Sequence, residues 1–178
     1  VSYGNQLVGQ ISEEPEIPLS ALREFKVFDY IHQMFAEYVL GSAYCDADHN
    51  YKSSVADFQA DPNYSNPVHV NLEAAWLVSQ QNGEYNPIHN HSRSTLSSVM
   101  YLRVPKTLQN KSLPGKPNID GYIEWVDRSA GTTQNSTVRV RPKAGMFYIF
   151  PASLLHLVYP FSGSEERRSV SINATHSL

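Results

Sequence analysis

The feature that most constrains this chain is a run of short alternating segments between Val68 and Ala174, each closed by a turn signal. Val68-His69-Val70-Asn71-Leu72 alternates in polarity, and the apolar stretch around Trp76-Leu77-Val78 leads to a turn at Gln81-Asn82-Gly83. Residues 97–102 read as a strand that stops before Pro105, and a loop rich in Gly, Pro, Asn and Lys covers 106–119. Further strands are expected at 122–126, 137–141, 146–150, 155–159 and 167–174, with a turn at Pro142-Lys143-Ala144-Gly145. Alternation with a period of two sends successive side chains to opposite faces, so each segment can bury one face and expose the other. Many short strands with regular turns argue for an all-β sandwich or barrel.

The first part of the chain obeys a different period. Residues 1–18 read as an extended lead-in. Leu22, Phe25, Phe28, Ile31, Phe35 and Tyr38 then recur at spacings of three and four, predicting one helix from about Ser20 to Leu40. Ser20 is its expected N-cap and Gly41 its expected stop. Residues 44–66 are polar, with a short helical turn expected near Val55–Phe58. Length suits a single domain over 1–178, with 1–66 as lead-in and helical support and 67–178 as the β core.

Composition narrows the function. The net charge is −3 and charged residues make up 17% of the chain, so there is no basic footprint of the kind that neutralises phosphates. A nucleic-acid partner is therefore not expected. The single cysteine, Cys45, excludes an internal disulfide and a multi-cysteine zinc site. No apolar run reaches 18 residues and no leader is evident, so neither a membrane partner nor export is expected.

Within this frame three histidines stand apart from the other four. His89 and His91 are two residues apart, a spacing that puts both imidazoles on one face of an extended strand. From spacing alone, two exposed histidines in a turn are an equally good reading. His156 lies in the apolar run Phe150-Pro151-Ala152-Ser153-Leu154-Leu155-His156-Leu157-Val158-Tyr159-Pro160. A histidine there is usually a satisfied core side chain, yet beside two others it would find a partner in a divalent metal. Imidazole suits Zn, Cu, Fe and Ni alike. Arg167 and Ser169 share a strand face with Ser171 and Asn173, and an Arg with a Ser hydroxyl makes a carboxylate clamp. The competing reading of Arg167-Arg168 is a solvated basic pair after Glu165-Glu166. Tyr101, at the end of the 97–102 strand, can add a hydroxyl to the same anion or simply pack in the core.

Taken in order, these blocks resemble the iron(II)/2-oxoglutarate-dependent oxygenases, in particular the short prolyl-4-hydroxylase-like members of marine bacteria and phages. The resemblance runs from about Val70 to Asn173. It is carried by Gly83-Glu84-Tyr85-Asn86-Pro87-Ile88-His89-Asn90-His91-Ser92, by Leu96–Leu102 with Pro105, by Gly145–Ala152, by His156–Phe161 and by Arg167–Asn173. It implies a mainly β double-stranded β-helix, a jelly-roll or cupin-like barrel, with one or more N-terminal helices packed outside. It implies Fe(II) held by His89, His91 and His156, with His91 standing where most of the superfamily has a carboxylate. Arg167, Ser169 and Tyr101 match the positions that bind the far carboxylate of 2-oxoglutarate.

The implied activity is a dioxygenase that hydroxylates its substrate and releases succinate and CO2, with ascorbate as a candidate further cofactor. The substrate class is a small molecule or a peptide or protein, prolyl residues being the nearest analogy. The expected location is the cytoplasm, that of the host cell if the gene is a phage's. The 106–119 loop is the candidate substrate lid. Two competing classes share the barrel. One is a non-oxidative cupin-like metal- and anion-binding module, and the other is a structural or sensor protein derived from an oxygenase. Succinate formation coupled to oxygen consumption separates the first reading from both.

Overall fold

A computed structural model describes residues 7–43, 68–106, 115–127 and 135–177. The turn expected near Val55–Phe58, Cys45 and most of the 106–119 loop lie outside the described residues.

The helix expected over 20–40 is two helices, α1 (Leu19–Glu24) and α2 (Phe28–Ala43). The break is a Schellman motif. The Val27 N–H donates to the Leu22 carbonyl and the Lys26 N–H to the Arg23 carbonyl, both at 3.0 Å, and Lys26 takes the left-handed conformation with φ 57°. A lysine stands where glycine is usual, so no residue type marks the stop, and the apolar spacing of three and four runs straight across it. Consequently Ser20 lies inside α1, whose N-cap is Pro18, and Gly41 lies inside α2. Phe25, expected in the apolar stripe, falls in the break and is exposed, while Ile31, Phe35 and Val39 form the buried seam of α2.

Eight strands follow among the described residues: β1 (His69–Gln80), β2 (Asn86–His89), β3 (Leu96–Arg103), β4 (Ile123–Val126), β5 (Thr137–Val140), β6 (Phe147–Pro151), β7 (Leu155–Val158) and β8 (Arg167–Ser177). They form two four-stranded antiparallel sheets, in the orders β1-β8-β3-β6 and β2-β7-β4-β5. This alternation of strands between two sheets is the double-stranded β-helix that was expected, with the helices at its N-terminal side.

The two segments anticipated at 68–72 and around 76–78 are one strand, β1, interrupted by a register shift between Leu72 and Ala74. The shift explains why Leu72 and Ala75, three apart, are both buried in one cluster, since an extra residue resets which side chains face inward. The lead-in is not idle: the Leu77 N–H donates to Pro15, the Ile17 N–H to Ala75 and the Ser79 N–H to Glu13, so residues 13–17 cover the free edge of β1.

Two cores result. The first lies between the helices and the outer face of the larger, longer-stranded sheet β1-β8-β3-β6, and includes Leu22, Ile31, Phe35, Leu96, Ile172 and Ala174. The second lies inside the barrel and includes Val99, Tyr101, Ile123, Trp125, Phe150 and Val158. No helix among the described residues is long and apolar enough to cross a membrane.

Candidate metal centre and anion pocket

His89 is the last residue of β2 and pairs directly with His156 on β7. The antiparallel pairing sets their rings side by side, with centroids 4.2 Å apart. His91 lies beyond the end of β2, not on the strand as its spacing suggested. It is held instead by its backbone, whose N–H donates to the Ala152 carbonyl in the β6–β7 turn at 2.9 Å. The outcome is the same convergence. Each of the three histidines offers one ring nitrogen, and those atoms all lie within 4.8 Å of one another. His91 Nε2 is 3.4 Å from His156 Nε2, close to the separation of two ligands held at about 2.1 Å on one ion.

The surroundings favour neutral imidazoles, the form that binds metal. Burial lowers the pKa of all three. His91 is pushed down to about 4, with His89 adding to the effect, and His156 to about 3, with His89 and His91 adding. His89 Nδ1 lies 2.7 Å from the Pro87 carbonyl, and His156 Nδ1 lies 3.0 Å from the Leu154 carbonyl. A carbonyl only accepts, so these Nδ1 atoms carry the protons and each Nε2 presents a lone pair. The three residues could therefore hold a metal ion. Among the described residues no carboxylate joins the group. Glu84 accepts from the Ser12 and Gln81 N–H groups, and Glu124 is engaged by Arg139 and Tyr159.

The same cavity is lined by Arg167 and Ser169. Alternation along β8 turns Arg167 and Ser169 inward, each 1% exposed, while Arg168 faces solvent and pairs with Glu166. Arg167 donates from Nη1 to the Gly121 carbonyl at 2.9 Å, but its Nε has no partner among the described residues. Tyr101 sits opposite Ser169 in the β3–β8 register, with its ring 5.5 Å from the guanidinium carbon, and its buried hydroxyl is also without a partner among the described residues. Burial pushes the Arg167 guanidinium below its ordinary value, with Tyr101 opposing. A guanidinium stays charged in proteins and an unpaired buried charge is costly, so this arrangement calls for an anion.

The sequence matches the family model described as "Putative 2OG-Fe(II) oxygenase" over residues 74–173, more than half of the chain. The chain belongs to this oxygenase family. No curated protein matches it. Among solved structures, it is similar to a viral collagen prolyl hydroxylase from Paramecium bursaria Chlorella virus-1, with a TM-score of 0.54 and 15% identity over 99% of this chain and 86% of that one. A Pseudomonas putida prolyl-4-hydroxylase aligns at 20% identity and TM-score 0.42, over 58% of this chain and 52% of that one. A Burkholderia pseudomallei 2OG-Fe(II) oxygenase family protein aligns at 11% identity and TM-score 0.46, over 63% and 48%. The chain thus spans about half the length of the two bacterial proteins. At 15% identity the likeness to the viral protein shows the fold alone.

Membership of the 2OG-Fe(II) oxygenase family implies Fe(II) and 2-oxoglutarate, and the cavity fits both on its own evidence: three converging neutral imidazoles, and a buried cation with unpartnered donors beside it. Of the six site residues expected from sequence, His89, His91, His156, Arg167 and Ser169 line one cavity, and Tyr101 packs beside Arg167 and opposite Ser169 without lining it. Two further residues were not singled out. Asn173, noted only as sharing the Arg167 face, has Nδ2 3.2 Å from His91 Nδ1. Glu14, in the lead-in, is 2% exposed, lines the same cavity and has an Oε2 without a partner among the described residues; burial, with Glu84 adding, raises its pKa to about 7. An acid-rich lead-in gave no signal that one carboxyl would turn inward.

Proposed function

We propose that the protein is an Fe(II)- and 2-oxoglutarate-dependent dioxygenase that hydroxylates prolyl residues of a peptide or protein. In this reading His89, His91 and His156 hold iron, and Arg167, Ser169 and Tyr101 hold the far carboxylate of 2-oxoglutarate. The observation that carries it is the pairing, in one cavity, of three converging histidines with a buried arginine that has no anionic partner among the described residues. A metal site alone would suit many proteins; a buried guanidinium awaiting an anion beside it is far more restrictive.

When bound, iron and 2-oxoglutarate supply the oxidising chemistry, in which decarboxylation to succinate and CO2 is coupled to hydroxylation of the substrate. The chain's own residues orient and enclose it. Arg167, with Nε still without a partner among the described residues, would hold the carboxylate by charge-assisted hydrogen bonds and orient the co-substrate relative to the histidines. Val99, Ile123, Phe150 and Val158 wall the cavity with apolar surface that excludes water. A second, open groove shares Leu7, Val8, His89 and His91 with the inner cavity, and Glu73 and Arg93 on its walls offer one charge of each sign. This groove supports an extended peptide as the substrate class, since it runs past the metal ligands and opens to solvent.

The test is oxygen consumption and succinate release by protein reconstituted with Fe(II), 2-oxoglutarate and proline-containing peptides. Peptide-stimulated succinate formation that disappears in His156→Ala is the expected result. Tight metal and 2-oxoglutarate binding with no succinate under any peptide would instead mark a binding module of the same fold.

A further inference from the structure

His91 differs from the other two histidines in what fixes its ring. His89 and His156 have backbone carbonyls at Nδ1, which impose the Nδ1–H tautomer. At His91 the neighbour is the Asn173 amide nitrogen, 3.2 Å away, and an amide NH2 only donates. In that geometry Nδ1 is the acceptor and the proton sits on Nε2, where it faces His156 Nε2 at 3.4 Å. A ring with its proton on Nε2 has no lone pair there for a metal. Meanwhile Asn173 Oδ1 is buried and has no partner among the described residues. Half a turn of the amide about its Cβ–Cγ bond exchanges the two atoms and offers Nδ1 an acceptor.

We propose that Asn173 is the positioning residue for His91, its amide turning to accept from Nδ1–H so that Nε2 is released toward a metal. The step moves one proton from Nε2 to Nδ1 of the same ring through water in the open groove that both residues line, with no net change in protonation. It accounts for how a neutral histidine can serve at this position. A carboxylate needs no tautomer, whereas an imidazole does, and β8 supplies the group that sets it. Asn173 is inward on β8 in the same alternation that places Arg167, so one strand serves both halves of the site.

The inference rests on the reading of His91 as a metal ligand, and the experiment separates the two. Zn(II) affinity is measured by competition with a chromophoric chelator for the wild type, N173A, N173D and H91A. Imidazole 15N shifts report the His91 tautomer in the Zn(II)-loaded protein, and thermal unfolding confirms that each variant is folded. N173A should bind Zn(II) about 10- to 100-fold more weakly, the range typical for loss of a group that orients a metal ligand. N173D, whose carboxylate can only accept, should keep His91 as Nδ1–H and bind at least as tightly as the wild type. Wild-type affinity in N173A alongside a weakened H91A overturns the inference and leaves the metal site standing. N173D as weak as N173A also overturns it, since a packing role would then explain both. Wild-type affinity in H91A removes the metal reading of His91 itself, and the inference with it.

Discussion

The two faces of the larger sheet are built from the same strands and could hardly differ more. On the outer face Ile172 and Ala174 of β8 and Leu96 of β3 pack beneath Phe35 and Ile31 of α2, an apolar layer in which little needs a partner. On the inner face the same β8 presents Arg167, Ser169, Ser171 and Asn173, and the buried polar atoms without partners include Arg167 Nε, Tyr101 Oη, Ser97 Oγ and Asn173 Oδ1. Buried polar groups are normally satisfied, and leaving one bare costs about 1–3 kcal/mol. That many on one face call for water or a ligand to complete them. The outer face is the apolar packing layer, and the inner face carries the groups to which the proposed function gives ligands.

The largest effect should come from the outer face. Phe35 is fully buried, and Phe35→Ala should cost about 3–5 kcal/mol of stability in chemical denaturation. The fraction that remains folded should bind Zn(II) like the wild type; a matching loss of metal affinity would break the division between faces. On the inner face, Arg167→Ala should weaken 2-oxoglutarate binding, measured by calorimetry on Zn(II)-loaded protein, by roughly 30-fold or more. That follows from about 2–5 kcal/mol for truncating one partner of a buried charge pair, at about 1.4 kcal/mol per decade. Arg168→Ala, one residue along and exposed, should leave the affinity within about threefold. Equal losses in both would show that alternation along β8 does not separate binding from surface.

Glu14 sharpens the comparison through pH. Its folded pKa of about 7 lies above the ordinary 4.5, so its ionisation opposes folding. The stability associated with its protonated form is fully present below about pH 4.5 and is lost as pH rises through 7. Glu14→Gln should remove this slope, gaining about 1–3 kcal/mol relative to wild type at pH 8 compared with pH 4, at about 1.4 kcal/mol per unit. Equal wild-type and variant slopes would mean that the carboxyl finds a partner. The smallest effect belongs to the outer layer's helices. Lys26→Gly should relieve the left-handed backbone at the α1–α2 break and stabilise the protein by about 0.5–1 kcal/mol, read from the denaturation midpoint.

Much of this arrangement is legible in one dimension because strands have a period of two. Alternation separates Arg167 from Arg168 and points to an all-β sandwich or barrel, while the apolar spacing of three and four marks the helical support. His89 and Arg167 stand out by their i, i+2 spacing to His91 and Ser169, while His156 interrupts an otherwise apolar strand and is visible for that reason. The helix break was not, because the residue that takes the left-handed turn is Lys26 and the apolar spacing continues on both sides of it. Nor was the single β1 strand, since the register shift near Glu73 disguises the alternation.

The sequence by itself thus determined which residues could share a face, because local backbone geometry dictates that and nothing distant alters it. Tertiary structure alone decided which faces meet. His91 leaves its strand and is still delivered to His89 and His156 by a hydrogen bond to Ala152, 61 positions away. Asn173 reaches His91 across 82 positions because β8 runs between β1 and β3. Glu14 enters the cavity only because the lead-in is pinned along the edge of β1. Such meetings depend on sheet order and register, which are settled by the burial of whole faces against one another, and no local pattern in the chain encodes them.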